Sequence, residues 1–111
     1  MTRCITVYVT AAAPAEAEAI GRALVEERLA ACANVLDGLT SIYRWEGGTQ
    51  RDREAALLLK TRAELLPRIE ARIRELHSYR IPCIVAWPIE GGNAEYLAWI
   101  IEQTLGPPPG S

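Results

Sequence analysis

The side chains able to carry chemistry are few and widely spaced. There is one imidazole, His77, and there are three thiols, Cys4, Cys32 and Cys83. A neutral imidazole is a good ligand for copper or zinc, and sulfur favours Cu(I). His77 and Cys83 are therefore the candidate metal ligands. His77 also borders an apolar helical stripe of Leu66, Ile69, Ile73 and Leu76, where a packing role is open to it. Three cysteines without a Cys-x-x-Cys argue against a disulfide framework or a zinc cage within one chain. Reduced thiols in a cytoplasmic protein are the expectation. Cys32 follows a helix C-terminus, where the dipole disfavours a thiolate. Cys83, close to Arg80, is expected to be the more reactive.

Lys60 is the single lysine beside 11 arginines, and it ends an apolar strand. Lysine meets an anionic ligand as a point charge. Tyr43 and Trp45 share a strand face and can wall a cleft. Tyr43, Trp45, Lys60, Glu90 and Tyr96 together form a candidate ligand cleft. The alternatives are intersubunit packing for the aromatics and a strand-end ion pair with Glu90 for Lys60. No Ser, Cys or Thr has the partners of a nucleophilic triad at motif spacing, and no enzymatic activity is expected.

The elements that must position these residues follow from pattern. Cys4–Ala11 alternates apolar and polar residues, as a strand does. Pro14 opens a helix rich in Ala, Glu, Leu and Arg that is expected to reach about Ala31, with Ala17, Ile20, Leu24 and Ala31 on one stripe. Ala33–Glu46 reads as a long strand interrupted by a bulge or bend at Asp37-Gly38. Gly47-Gly48 signals a hairpin turn, and the return strand is expected over Arg53–Arg62. A second helix begins near Leu65, a fourth strand covers Ile84–Ile89, and Asn93 caps a last helix ending near Thr104. The order β-α-β-β-α-β plus a C-terminal helix is the α+β ferredoxin-like split βαβ arrangement. Residues 1–105 make one domain, and 106–111 a short proline-rich tail.

Half of the 111 residues are hydrophobic, 23% are charged and the net charge is −2. That balance excludes disorder and a basic nucleic-acid footprint. No apolar run approaches the ~20 residues of a membrane span. Acylphosphatases share this topology but need a glycine-rich, Arg-bearing loop after the first strand, which Thr10–Pro14 lacks. RNA-recognition modules need stacking aromatics where the third strand offers Leu57, Leu58 and Leu59.

Both helices of such a fold cover one sheet face, and an uncovered face should be polar. Here the third strand is apolar on both sides: Leu57 and Leu59 one way, Ala56 and Leu58 the other. The fourth strand sets Ile84 and Ala86 against Val85 and Trp87. Burial of one leucine is worth about 1.5–3 kcal/mol, so a homo-oligomer is expected, with the C-terminal helix covering part of the face.

Several motifs, in order, carry a resemblance. They are Leu29–Asn34, Gly38–Gly47, Lys60-Thr61-Arg62, His77-Ser78-Tyr79, Ile81-Pro82, Pro88-Ile89-Glu90-x-Gly92-Asn93 and Tyr96-Leu97-x-Trp99. Together they resemble the CutA family of divalent-cation-tolerance proteins over about residues 4–103. The resemblance implies a PII-like homotrimer linked to tolerance of copper and other divalent metals, with Cu(II) or another divalent metal as the ion and no organic cofactor. Other readings of the same resemblance are a PII-like sensor of a small anion between subunits and a stable trimeric scaffold. The family's copper site uses a cysteine near the end of the first strand and a His-His pair. Those positions are Val9, Leu76 and His77 here. His-Pro-Tyr-Glu and Pro-Glu in the family become His77-Ser78-Tyr79-Arg80 and Pro82-Cys83.

Overall fold

The computed structural model describes residues 3–106. The remainder of the proline-rich tail, 107–111, lies outside them. The elements are β1 (Cys4–Ala11), α1 (Pro14–Glu26), β2 (Cys32–Trp45), β3 (Gly48–Arg62), a 3-10 turn (Ala63–Leu65), α2 (Leu66–Leu76), β4 (Ile84–Pro88) and α3 (Ala94–Gln103). The strands form one antiparallel sheet in the order β2-β3-β1-β4. Because β3 is inserted between β1 and β2, the β1-α1-β2 unit is split, as expected. Among the described residues no helix is long and apolar enough to cross a membrane.

The first helix stops at Glu26, short of the expected Ala31. Arg28 takes the left-handed conformation at φ 61. The Leu29 N–H reaches the Leu24 carbonyl at 2.9 Å and the Arg28 N–H reaches Val25 at 3.0 Å, a Schellman ending. Glycine usually fills that position, so no sequence signal marks the stop. The early ending turns Leu29 into the main core and sends Ala31 to the opposite sheet face.

That core lies between one sheet face and the helices α1 and α2. Val7, Val9, Leu57 and Leu59 are fully buried against Ala17, Ile20, Leu24, Ile69 and Ile73. Gly21 lets α1 approach closely: a Cβ there would sit 2.9 Å from the Ala33 Cβ. Across the junction after α1, the Ala31 N–H donates to the Lys60 carbonyl at 2.8 Å. Thr61, fully buried, donates its hydroxyl to the Leu29 carbonyl at 2.6 Å.

The β2–β3 hairpin is longer than its apolar pattern. β3 starts at Gly48, five residues before the expected Arg53, and its first limb is polar. The turn centres on Glu46-Gly47, both with positive φ, so it is displaced by one residue from Gly47-Gly48. The register shifts between Leu36 and Leu39, at the expected Asp37-Gly38 bulge. The shift exchanges the two faces of β2. Ala33 and Val35 face the α1/α2 core, whereas Leu39, Ser41, Tyr43 and Trp45 point to the other side.

On that other side α3 packs Leu97, Ile100 and Ile101 around Cys4, Ala31 and Ile89. Asn93 caps α3 as expected, accepting the Glu95 and Tyr96 N–H groups at 2.8 and 3.2 Å. The helix covers only one end of the face. Tyr8 and Leu58 remain half-buried, and Val85 and Trp87 are 50% and 46% exposed.

Candidate functional site

An open groove of about 740 Å³ runs along this uncovered face. Its floor is Tyr8 and Thr10 of β1. One wall is the hairpin, with Leu39, Tyr43, Trp45, Asp52 and Glu54. The other is the segment between α2 and β4, with Tyr79, Arg80, Ile81 and Cys83. The bulge makes this wall possible, because it puts Tyr43 and Trp45 on the same side as Asp52 and Glu54.

Each carboxylate of the groove accepts a phenol hydroxyl. Tyr43 donates to Asp52, and Tyr79 donates to Glu54 at 2.7 Å. The hydrogen bond to Asp52 raises the Tyr43 phenol above its ordinary range, with burial and carboxylate charge adding to it. Burial, then the bond to Glu54, pushes Tyr79 well above it. Cys83 borders the same carboxylate. Burial, and then the Glu54 charge, raises its thiol, while a hydrogen bond with Thr10 partly opposes them. The expectation that Arg80 would make Cys83 reactive is therefore corrected: the thiol answers to burial and an acid. Asp52, Glu54 and Tyr79 were missed from sequence. The signal for the two carboxylates was the alternation Gln50, Asp52, Glu54, readable only once β3 is known to begin at Gly48.

His77 is not open to a metal. Its Nδ1 accepts the Tyr79 N–H at 3.0 Å. Nε2 must then carry the proton, which it donates to the Thr10 carbonyl at 2.7 Å. Both nitrogens are occupied and the side chain is fully buried. The ligand reading of His77 is thus corrected to a packing and hydrogen-bonding one. Among the described residues no three of His, Cys, Asp and Glu gather into a group that could hold an ion.

The expected five-residue cleft does not form within one chain. Lys60 pairs with Cys32, whereas Tyr43 pairs with Gln50, ten residues earlier on β3. At the rise of a strand that separation is about 30 Å. Lys60 donates to the Asn34 side chain at 2.7 Å rather than pairing with Glu90, which lies exposed beyond β4. Tyr96 belongs to the Lys60 end of the sheet. Its hydroxyl lies 3.5 Å from the Cys32 sulfur, a contact that, with burial, pushes it up to about 12.

The split sheet, the bulged long hairpin and the capped last helix together match a known family. The profile of the CutA1 divalent ion tolerance protein matches residues 5–103. The chain belongs to this family. It is 50% identical over 98 residues to the divalent-cation tolerance protein CutA of Thermus thermophilus, covering 88% of this chain and 95% of that one. It is 39% identical over 100 residues to the chloroplastic protein CutA 1 of Oryza sativa, covering 90% of this chain and 56% of that longer one. The solved structure of the divalent cation tolerance protein from Thermus thermophilus superposes with a TM-score of 0.89 at 48% identity, over 91% of this chain and 98% of that one. A CutA from Archaeoglobus fulgidus described as periplasmic gives a TM-score of 0.87 at 40% identity, over 90% and 97% of the two chains. Divalent-cation tolerance is the family's named role.

Proposed function

We propose that this chain serves divalent-cation tolerance as a homotrimer that binds copper or a related ion between its copies, without catalysing a reaction, in the cytoplasm. The observation that carries the reading is the apolar sheet face beside the acidic groove. Val85, Trp87, Tyr43 and Trp45, all on this side of the sheet, leave more apolar surface in water than a chain that works alone usually shows. Asp52 and Glu54 supply hard oxygens and Cys83 a soft sulfur at the rim of that face. One chain supplies too few ligands, so an ion held there draws the rest from a neighbouring copy. The two carboxylates weigh against the anion-sensor reading, whose lysine lies at the far end of the sheet.

Light scattering combined with copper titration tests this. The expected result is a particle of three 12.2 kDa copies that takes up at least one ion per trimer. Uptake should fall in the Asp52→Asn, Glu54→Gln double variant. A lone 12.2 kDa particle, or copper uptake unchanged in the double variant, removes the proposal.

A further inference from the structure

The buried His77 imidazole has no part in the cation reading, yet its surroundings are closely specified. With Nδ1 as acceptor for Tyr79 and Nε2 as donor to Thr10, the ring is neutral and its tautomer is fixed. The Tyr79 ring lies against it, centroids 4.7 Å apart. From α1 it faces Glu16, whose Oε2 is 4.0 Å from Nδ1. That carboxylate already accepts the Ser78 N–H at 2.8 Å, the Ser78 hydroxyl at 3.0 Å and the Ala12 N–H at 3.2 Å. From β1 it meets the neutral Thr10 carbonyl. From its own segment it meets Tyr79, whose hydroxyl reaches Glu54 of β3; Arg80 and Cys83 follow on the groove wall.

We propose that His77 is a proton-sensitive latch on the 77–83 segment, and through it on the wall of the groove. A proton taken up on Nδ1 turns the acceptor of the Tyr79 N–H into a second donor. Two N–H groups then face one another, and the backbone bond that seats Tyr79 is lost. The new N–H has Glu16 Oε2 as its partner, and closing 4.0 Å to a charge-assisted bond of about 2.8 Å draws the ring toward α1. Tyr79 is released from its seat, and its phenol leaves Glu54. Acid therefore opens the wall and uncovers a carboxylate. The latch rests on the geometry of this segment and holds whatever the groove binds.

Amide hydrogen exchange and imidazole NMR on the metal-free protein, between about pH 7.5 and 5, test it. After correction for intrinsic exchange, the Tyr79 amide should lose about tenfold or more of its protection as the His77 ring protonates. The Ser78 amide, held by Glu16 instead, should keep its own. His77→Gln can still donate to Thr10 and accept from Tyr79 but cannot titrate, and its Tyr79 amide should stay protected throughout. The latch is overturned if Tyr79 keeps its protection after the ring protonates, or if the ring stays neutral until the protein unfolds. Loss of Tyr79 protection at the same pH in His77→Gln also overturns it. Should that variant not fold, the coincidence of the two wild-type transitions decides.

Discussion

Arg62 donates from Nη2 to the Ile101 carbonyl at 2.6 Å, tying the end of β3 to the end of α3. The same guanidinium donates from Nε to the Thr104 hydroxyl at 3.0 Å. Arg28 reaches the same helix end, donating to the Glu102 and Gln103 carbonyls at 2.9 and 3.1 Å. The last turn of α3 contains no basic residue of its own. Two arginines from elsewhere in the chain thus satisfy its free carbonyls and the negative end of its dipole.

Arg62→Ala should therefore be costly. Its side chain is only 13% exposed, and the loss strands carbonyls that it now satisfies. Hydrogen bonds to charged groups are worth about 1.5–3 kcal/mol each and do not add fully, so a loss of about 2–3 kcal/mol is expected in urea denaturation. Amide exchange should show α3 loosening before the sheet. Arg28→Ala, at a more exposed site, should cost less.

Gly21→Ala sets two effects against each other. Alanine favours a helix by about 0.5–1 kcal/mol over glycine. Its Cβ, however, would meet the Ala33 Cβ at 2.9 Å and the Leu57 Cδ1 at 3.0 Å. Ala33 is fixed to the β2 backbone and cannot turn away. Overpacking of this kind costs about 1–3 kcal/mol, so the variant should unfold earlier than wild type in thermal melts. A stabilised variant would show that α1 can lift from the sheet at little cost.

The particular residues show where sequence was readable. The alternation of Cys4–Ala11 marks a strand because both of its faces have fixed fates, one on the core and one under α3 or in the groove. Asn93 was legible as a cap because its side chain does the capping. The end of α1 was hidden, because an arginine takes the place of the usual glycine at its C-terminal turn. The polar limb of β3, Thr49–Glu54, was hidden because its partner is the equally exposed outer half of β2. With it went Asp52 and Glu54, and hence the groove. The fate of His77 turned on a backbone N–H two residues later, which no spacing rule reports.

Glu16 should give the protein a distinct acid dependence. Burial alone would raise its carboxyl, but the two Ser78 bonds, the Ala12 N–H and the His77 ring outweigh it and hold it below the ordinary 4.5. A carboxyl lowered on folding contributes stability that is present above its unfolded value and is lost as pH falls through the folded one. Glu16→Gln should thus be less stable than wild type at neutral pH. The gap in melting temperature should close below about pH 4, where the wild-type carboxyl protonates. A gap that persists unchanged into acid would assign the effect to packing instead.

Cys83 should alkylate slowly. The thiolate is the reacting form, and both burial and the Glu54 charge disfavour it. At about pH 8, iodoacetamide should modify Cys83 several-fold more slowly than a cysteine in an unfolded peptide. Glu54→Gln removes the second of those two effects and should speed the reaction. Mass spectrometry of the Cys83 peptide reads both rates. An unchanged rate in Glu54→Gln would mean that the carboxylate does not act on the sulfur.

The uncovered face makes the last prediction. Val85 pairs with Tyr8, and Trp87 with Thr6, on the side that α3 only partly covers. In a lone chain Val85→Glu would place a charge in water at little cost, because the site is already 50% exposed. In the proposed trimer the same charge is desolvated between copies without a partner, a penalty of several kcal/mol. The variant should thus keep its monomer fold, read by circular dichroism, and lose its assembly, read by light scattering. Ile42→Glu is the comparison: 70% exposed, it lies on the opposite face of the hairpin, among Arg44, Arg51 and Arg53. Arginines beside a new carboxylate soften its effect, so this second variant should stay assembled at concentrations that dissociate the first. Equal dissociation of the two would move the contact from the sheet face to the hairpin as a whole.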